Sequence, residues 1–141
     1  MNSFQLHHRL EQDCLPVGHF ALSKILLIND KQYPWVILVP RRPDITEIYQ
    51  LAPDDRQQLL DESCLLAQAL VSIYRPDKLN IAAIGNLVPQ LHLHHVVRYR
   101  SDIAWPGPVW GKFASCAYNE QEAEFELSRL REHLQDHLLN R

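Results

Sequence analysis

The chain has 141 residues, of which 46% are hydrophobic and 22% charged, and its formal net charge is -3. These values exclude a disordered or fibrous protein, and they provide no basic surplus for binding duplex nucleic acid. Nucleotides remain possible ligands. Because the sequence contains no linker, repeat or low-complexity tract, we expect a single domain over residues 1–141.

The cysteines and the N-terminus indicate the compartment. The three cysteines are widely spaced and form no CxxC pair, which argues against a disulfide framework and a cysteine-based zinc site. The first residues lack the regions of a signal peptide, and no apolar run approaches the roughly 18 residues that a membrane span needs. We expect a cytoplasmic protein with no membrane partner.

The N-terminal third of the chain predicts a β-hairpin. Residues 1–13 alternate only weakly, and we expect a solvated turn there rather than a metal site at the pair His7 and His8. The runs His19–Ile28 and Trp35–Pro40 are rich in β-branched and apolar residues. Since turn-forming residues separate them, they predict two antiparallel strands.

The remaining elements follow in the order helix, strands, helix. Proline and two acids at positions 53–55 predict the start of a helix that runs to about Tyr74. Strands are expected at Lys78–Ile84 and Gln90–Tyr99, joined by a turn at Gly85 and Asn86. Asn119 is expected to cap a C-terminal helix. The pattern predicts an α+β fold, with an antiparallel sheet, one central helix and a C-terminal helix.

The strand predicted over Gln90–Tyr99 contains the candidate catalytic residues. Side chains alternate along a strand, so Gln90, His92 and His94 should share one face, with the two imidazoles about 7 Å apart. A neutral imidazole can attack phosphorus if a partner holds its other nitrogen protonated. His95 would fall on the apolar side, and spacing does not decide its role. Taken alone, the His-x-His pattern leaves open catalysis, metal binding and a structural site.

Two segments resemble the histidine triad superfamily. In that family, a strand and a Gly-Gln or Gly-Asn turn lead into His-φ-His-φ-His-φ-φ, a pattern similar to residues 80–94 here. Residues 27–42 are similar to the family's first hairpin. The resemblance extends from Phe20 to Gly111 and implies a HIT-like fold, a homodimer and a nucleotide substrate.

The resemblance implies catalytic roles for the histidines. His92 takes the place of the middle histidine, which forms a covalent nucleotidyl intermediate in the family. His94 takes the third position, which contacts a phosphate oxygen or the leaving group. We expect no metal and no organic cofactor, because imidazoles and amides can neutralise the developing charge.

The resemblance also implies nucleotide contacts. Asn80 and Asn86 match polar positions at the phosphate, where amides can donate to non-bridging oxygens. Asn29, or less directly Asp30, matches the position that binds the ribose hydroxyls. Because asparagine is also a natural turn residue, a purely structural role stays open for Asn29 and Asn86.

Two positions depart from the family pattern. The first triad position is Gln90, which forms hydrogen bonds but does not titrate. Trp35 stands where many members have another histidine. These departures bring the efficiency of turnover into question more than the binding of nucleotide.

A tryptophan-rich loop follows the histidines. In residues 98–111, Trp105 can stack on a base or anchor the loop, whereas an anchoring role is favoured for Trp110. Arg98 or Arg100 can meet additional phosphates.

Three functions compete. The leading hypothesis is a hydrolase or nucleotidyl transferase that cleaves a nucleoside phosphoanhydride, a phosphoramidate or a dinucleoside polyphosphate. The alternative is a nucleotide-binding or sensing module with little turnover. The third is a metal protein with His92, His94 and His95 as ligands, together with a distant residue such as His19.

Overall fold

The computed structural model describes residues 3–139, so positions 1, 2, 140 and 141 lie outside the described residues. It confirms the predicted α+β fold with an antiparallel sheet. The five strands lie in the order β1-β2-β3-β5-β4, and every neighbouring pair is antiparallel. The elements are α1 (His8–Asp13), β1 (Cys14–His19), β2 (Ser23–Ile28), β3 (Trp35–Pro40), α2 (Pro53–Tyr74), β4 (Lys78–Ala82), β5 (Leu93–Arg98) and α3 (Glu120–Leu134).

The two long helices begin where the sequence predicts. Pro53 occupies the first turn of α2, where its missing N–H costs no helical hydrogen bond, and two acids follow it. This helix ends at Tyr74, before Arg75 in the left-handed conformation. The Asn119 side chain accepts from the Glu122 N–H at 2.8 Å and caps α3.

The two long helices cover one face of the sheet, and α1 with irregular chain covers the other. Leucines from α2 and α3 join the inward side chains of β2, β3 and β5 in the main core. On the opposite face, Leu10 and Cys14 pack with Leu26, Ile37 and Val39. A third apolar cluster on that face includes Val96 and Val109. Within residues 3–139, no helix is long and apolar enough to cross a bilayer.

The N-terminal region differs from the prediction. The expected solvated turn contains the helix α1, whose Leu10 is buried, and a further strand, β1, pairs with β2. The single strand predicted over His19–Ile28 is therefore divided, and β2 begins at Ser23. β1 contains Pro16 and Gly18, residue types that are uncommon inside strands, so the sequence did not indicate it. The strand register shifts between these two residues.

The histidine-bearing strand is shorter than predicted. β4 ends at Ala82 and β5 begins at Leu93, so residues 83–92 form a loop instead of the tight turn at Gly85 and Asn86. Pro89 has no N–H to donate, and the Leu91 N–H donates to the Ile45 carbonyl at 2.9 Å rather than to a neighbouring strand. As a result, Gln90 and His92 precede the sheet instead of belonging to it.

Candidate functional site

His92 and His94 lie side by side at the start of β5, between strands β3 and β4. Their ring centroids are 4.7 Å apart and the rings meet edge to face. The separation is shorter than the strand spacing predicts because His92 lies in the loop rather than in the strand. Both side chains are nearly buried, at 6% and 5% exposure.

A backbone carbonyl fixes the His92 ring. Nδ1 of His92 is 2.8 Å from the Gln90 carbonyl oxygen. Because a carbonyl only accepts, Nδ1 carries the proton of the neutral ring, and Nε2 is left with its lone pair. Burial lowers the pKa of His92, the Gln90 carbonyl opposes that shift, and the charge of nearby His7 adds to it. The ring is thus held in the state that a nucleophile requires.

Two indoles surround His94. The Trp35 Nε1–H donates to Nδ1 of His94 at 2.9 Å, and Trp110 packs edge-on at 5.3 Å between centroids. The other ring nitrogen, Nε2, faces the Ile84 carbonyl at 3.4 Å. Burial first, and then the neighbouring His92, lower the pKa of His94 to about 4.

The Gln90 side chain is hydrogen-bonded to the N-terminal segment. Its amide nitrogen donates to the Gln5 carbonyl, and its amide oxygen accepts from the His7 N–H, both at 2.8 Å. Gln90 precedes β5, so the predicted alternation along a strand does not apply to it, but it lines the same cavity as His92. The hydrogen bond between the two residues joins the backbone carbonyl of Gln90 to Nδ1 of His92.

His95 lies on the helix side of the sheet. It is fully buried, and its Nε2 is 2.7 Å from the Ser63 hydroxyl on α2. Its Nδ1 is 3.1 Å from the Leu93 carbonyl, so Nδ1 donates and Nε2 accepts from Ser63. Since His94 points to the opposite face, the two adjacent histidines do not converge on one ligand.

A cavity of about 380 Å³ opens beside His92. Asn86 and the 83–91 loop form one wall, and Thr46 and Glu47 form part of another. The structure thus brings three of the predicted site residues, Asn86, Gln90 and His92, into the same cavity.

A second cavity of about 530 Å³ contains Asn29 and is bordered by Trp35, the residue that binds His94. Phe113, 49% exposed, lies at this cavity. The Asn29 side chain accepts from the Tyr118 N–H at 3.0 Å. Asp30, the less direct ribose candidate, is buried and accepts from the backbone of Gln32 and Cys116.

Asn80 and Trp105 are both engaged with Arg98. The Arg98 guanidinium donates to the Asn80 amide oxygen at 2.8 Å and lies 5.6 Å from the Trp105 ring. It also forms a bidentate ion pair with Asp102, at 2.9 and 3.1 Å. Arg98 is 1% exposed, so the idea that it meets a phosphate directly is wrong.

The histidine-rich segments bring no metal-type cluster together within residues 3–139, where no group of three or more His, Cys, Asp or Glu side chains is placed to hold an ion. The His7 and His8 rings stack on each other at 4.5 Å.

Comparison with known proteins decides the family. The model of the HIT domain matches residues 9–101. The structure of a histidine triad protein from Marinobacter aquaeolei VT8 is 47% identical, covers 96% of this chain and 99% of its own, and superposes with a TM-score of 0.94. The chain belongs to the histidine triad family.

Other members agree with this assignment. A histidine triad protein from Bradyrhizobium japonicum is 46% identical over 94% of this chain and 98% of its own, with a TM-score of 0.91. A histidine triad nucleotide-binding protein from Sulfolobus tokodaii is 16% identical over 92% of this chain and 89% of its own, with a TM-score of 0.66, and it shares the fold alone. No match was found among curated proteins.

Some features of this histidine triad site were not identified from the sequence. Trp110 was expected only to anchor its loop, but its ring packs against His94. His7 was expected in a solvated turn, but it is bonded to Gln90 at the rim of the site. Segment 109–117 lines the Asn29 cavity. The clustering of aromatics after the triad was a signal for the contacts of the 105–113 loop, but it gave none for the bond between His7 and Gln90.

Proposed function

We propose that this protein is a nucleotide hydrolase or nucleotidyl transferase that acts through a covalent nucleotidyl-His92 intermediate. One observation carries the proposal: His92, whose Nδ1 is held by the Gln90 carbonyl, packs against His94 and lines a cavity that also contains Asn86. The substrate classes are nucleoside phosphoanhydrides, phosphoramidates and dinucleoside polyphosphates.

The reaction proceeds in two displacements. The His92 Nε2 lone pair attacks the α-phosphorus, and the bond to the leaving group breaks with its electron pair going to the departing atom. Water then attacks phosphorus and releases one proton to solvent, while the P–N bond breaks and its electron pair returns to Nε2. In a transferase an acceptor hydroxyl or phosphate takes the place of water. The Gln90 carbonyl holds the Nδ1 proton throughout, which stabilises the charge on the substituted ring.

The nucleotide contacts differ in how directly the geometry supports them. Asn86 is exposed at the His92 cavity, where its amide can donate to a non-bridging oxygen. Asn29 lies at the second cavity, suited to the nucleoside. Asn80 and Trp105 both contact Arg98, so we propose that they support the phosphate site mainly through that guanidinium.

We also propose a cytoplasmic homodimer. β4 is an edge strand of the sheet, and its Ile81 is 49% exposed. An edge strand with an exposed apolar side chain is suited to pairing with a second copy. Light scattering coupled to size exclusion should give twice the chain mass for wild type, and Ile81→Lys should shift it toward one chain.

The test of the proposed function is nucleotide release from diadenosine tetraphosphate and from an adenosine phosphoramidate, with a chelator present. We expect His92→Ala to lose roughly 10⁴-fold or more in kcat, as when a covalent nucleophile is removed. His137→Ala is the matched control, because His137 is an exposed histidine at the C-terminal end of the described chain. Equal turnover by wild type and His92→Ala would refute the proposal.

A nucleotide-binding module with little turnover is the second candidate. The observation that favours it is the engagement of Gln90 with the N-terminal segment, which leaves His92 oriented by a neutral carbonyl alone. Nucleotide binding by wild type without product release would support it.

A further inference from the structure

The bond between Trp35 and His94 fixes where the His94 proton lies. An indole N–H can only donate, so Nδ1 of His94 must be an unprotonated acceptor at 2.9 Å. The neutral imidazole therefore carries its hydrogen on Nε2. On that side Nε2 faces the Ile84 carbonyl at 3.4 Å, which is compatible with a donor.

The surroundings oppose a second proton on this ring. Protonated Nδ1 would place two hydrogens between His94 and Trp35 and break their bond. The rings of Trp35, Trp110 and His92 enclose His94 at 5.7, 5.3 and 4.7 Å between centroids. The ring beside it, His92, and the charge of His95 on the other face of the sheet both oppose a positive charge on His94, while the Ile84 carbonyl favours it. The outcome is a buried imidazole that stays neutral.

We propose that Trp35 is a positioning residue that keeps His94 a neutral hydrogen-bond donor, so that this enzyme prefers leaving groups that depart as anions. The inference rests on the proposed function, because it concerns the leaving group of the attack by His92. A neutral His94 would favour phosphoanhydrides, including dinucleoside polyphosphates, over phosphoramidates as substrates.

The proton balance explains the preference. When His92 Nε2 attacks a phosphoanhydride, the P–O bond breaks and the oxygen leaves as a phosphate anion. The Nε2–H of His94 donates a hydrogen bond to that oxygen, and no proton is transferred. An amine departing from a phosphoramidate needs a proton on nitrogen, and a neutral imidazole is too weak an acid to supply it.

The tautomer can be tested without any substrate. Two-dimensional ¹⁵N–¹H spectra of histidine-labelled protein, with His94→Gln to assign the signals, should show His94 protonated on Nε2 and bare at Nδ1 from pH 8 to pH 5. In Trp35→Phe, which removes the N–H and keeps a ring, protonation of His94 should move to higher pH. Trp110→Phe is the matched control, because its buried N–H is not bonded to His94. A wild-type His94 with its proton on Nδ1 would overturn the inference even if no variant folds.

The leaving group is tested by kinetics on matched adenosine substrates. The ratio of kcat/KM for an anhydride to that for an alkyl phosphoramidate should be about a hundredfold or more, the lower end of what general acid catalysis contributes. Trp35→His, whose ring can accept as well as donate, should reduce that ratio about tenfold. Equal use of both substrates by wild type would overturn the preference. No turnover of either would refute the proposed function and the preference together, while the spectra decide the tautomer independently.

Discussion

Acid sensitivity of the fold should depend on His95, which lies beneath the site. The imidazole is fully buried, and burial lowers its pKa from 6.5 to about 4, with the Leu93 and Val36 carbonyls opposing the shift. A lowered histidine pKa stabilises the fold above pH 6.5, and that contribution is lost as the pH falls toward 4, because only the unfolded chain takes up the proton.

The size of the effect follows from the two pKa values. Between pH 7 and pH 5, a histidine titrating at 6.5 when unfolded and at about 4 when folded removes roughly 2 kcal/mol from the free energy of unfolding. The double variant His95→Leu/Ser63→Ala removes the titrating ring and its hydroxyl partner together. Replacing both partners by apolar groups leaves no unpaired group in the core.

The assay is urea denaturation at pH 7 and pH 5. Wild type should lose roughly 2 kcal/mol more than the double variant between these pH values. Ser63→Ala alone keeps the imidazole and should retain most of the sensitivity. The reasoning is refuted if the double variant and wild type lose the same free energy, since His92, His94 and the carboxylates are common to both.

Three further changes test other parts of the structure. Gln90→Leu removes both bonds to segment 3–7 and should raise amide hydrogen exchange there at a cost of about 1–3 kcal/mol; unchanged protection would contradict the contact. Glu62→Leu leaves two buried N–H groups at residues 22–23 unpaired and should lower the free energy of unfolding by roughly 2–5 kcal/mol in urea, more than Glu62→Gln does. Asn86→Ala should lower kcat/KM about tenfold to a hundredfold without changing Tm, because it removes a donor to a charged oxygen from an exposed position; an unchanged kcat/KM would exclude the phosphate contact.

The regular elements were predictable where local signals agree. Pro53 with its following acids, and Asn119 with Glu122, mark helix starts through contacts within one turn. β1 was not predictable, because Pro16 and Gly18 resemble a turn and the strand is specified by pairing with β2. Local chemistry therefore determines the two long helices, whereas distant partners determine the edge strand.

The functional site was also predictable only in part. The resemblance placed His92 and Asn86 together, and they do share a cavity. The carbonyl that fixes the His92 proton is local, two residues away at Gln90. Trp35, which fixes the His94 proton, is 59 positions from it, and the bond between Gln90 and His7 spans 83. The periodic patterns of the sequence could not predict these two long-range contacts.

The most direct test of the central claim is to trap the intermediate. Wild type mixed with diadenosine tetraphosphate and quenched in alkali within one turnover should carry one nucleotidyl group, located at His92 by peptide mass spectrometry, and His92→Ala should carry none. Product formation without an adduct, or with the adduct on another residue, would contradict the assignment of His92 as the nucleophile.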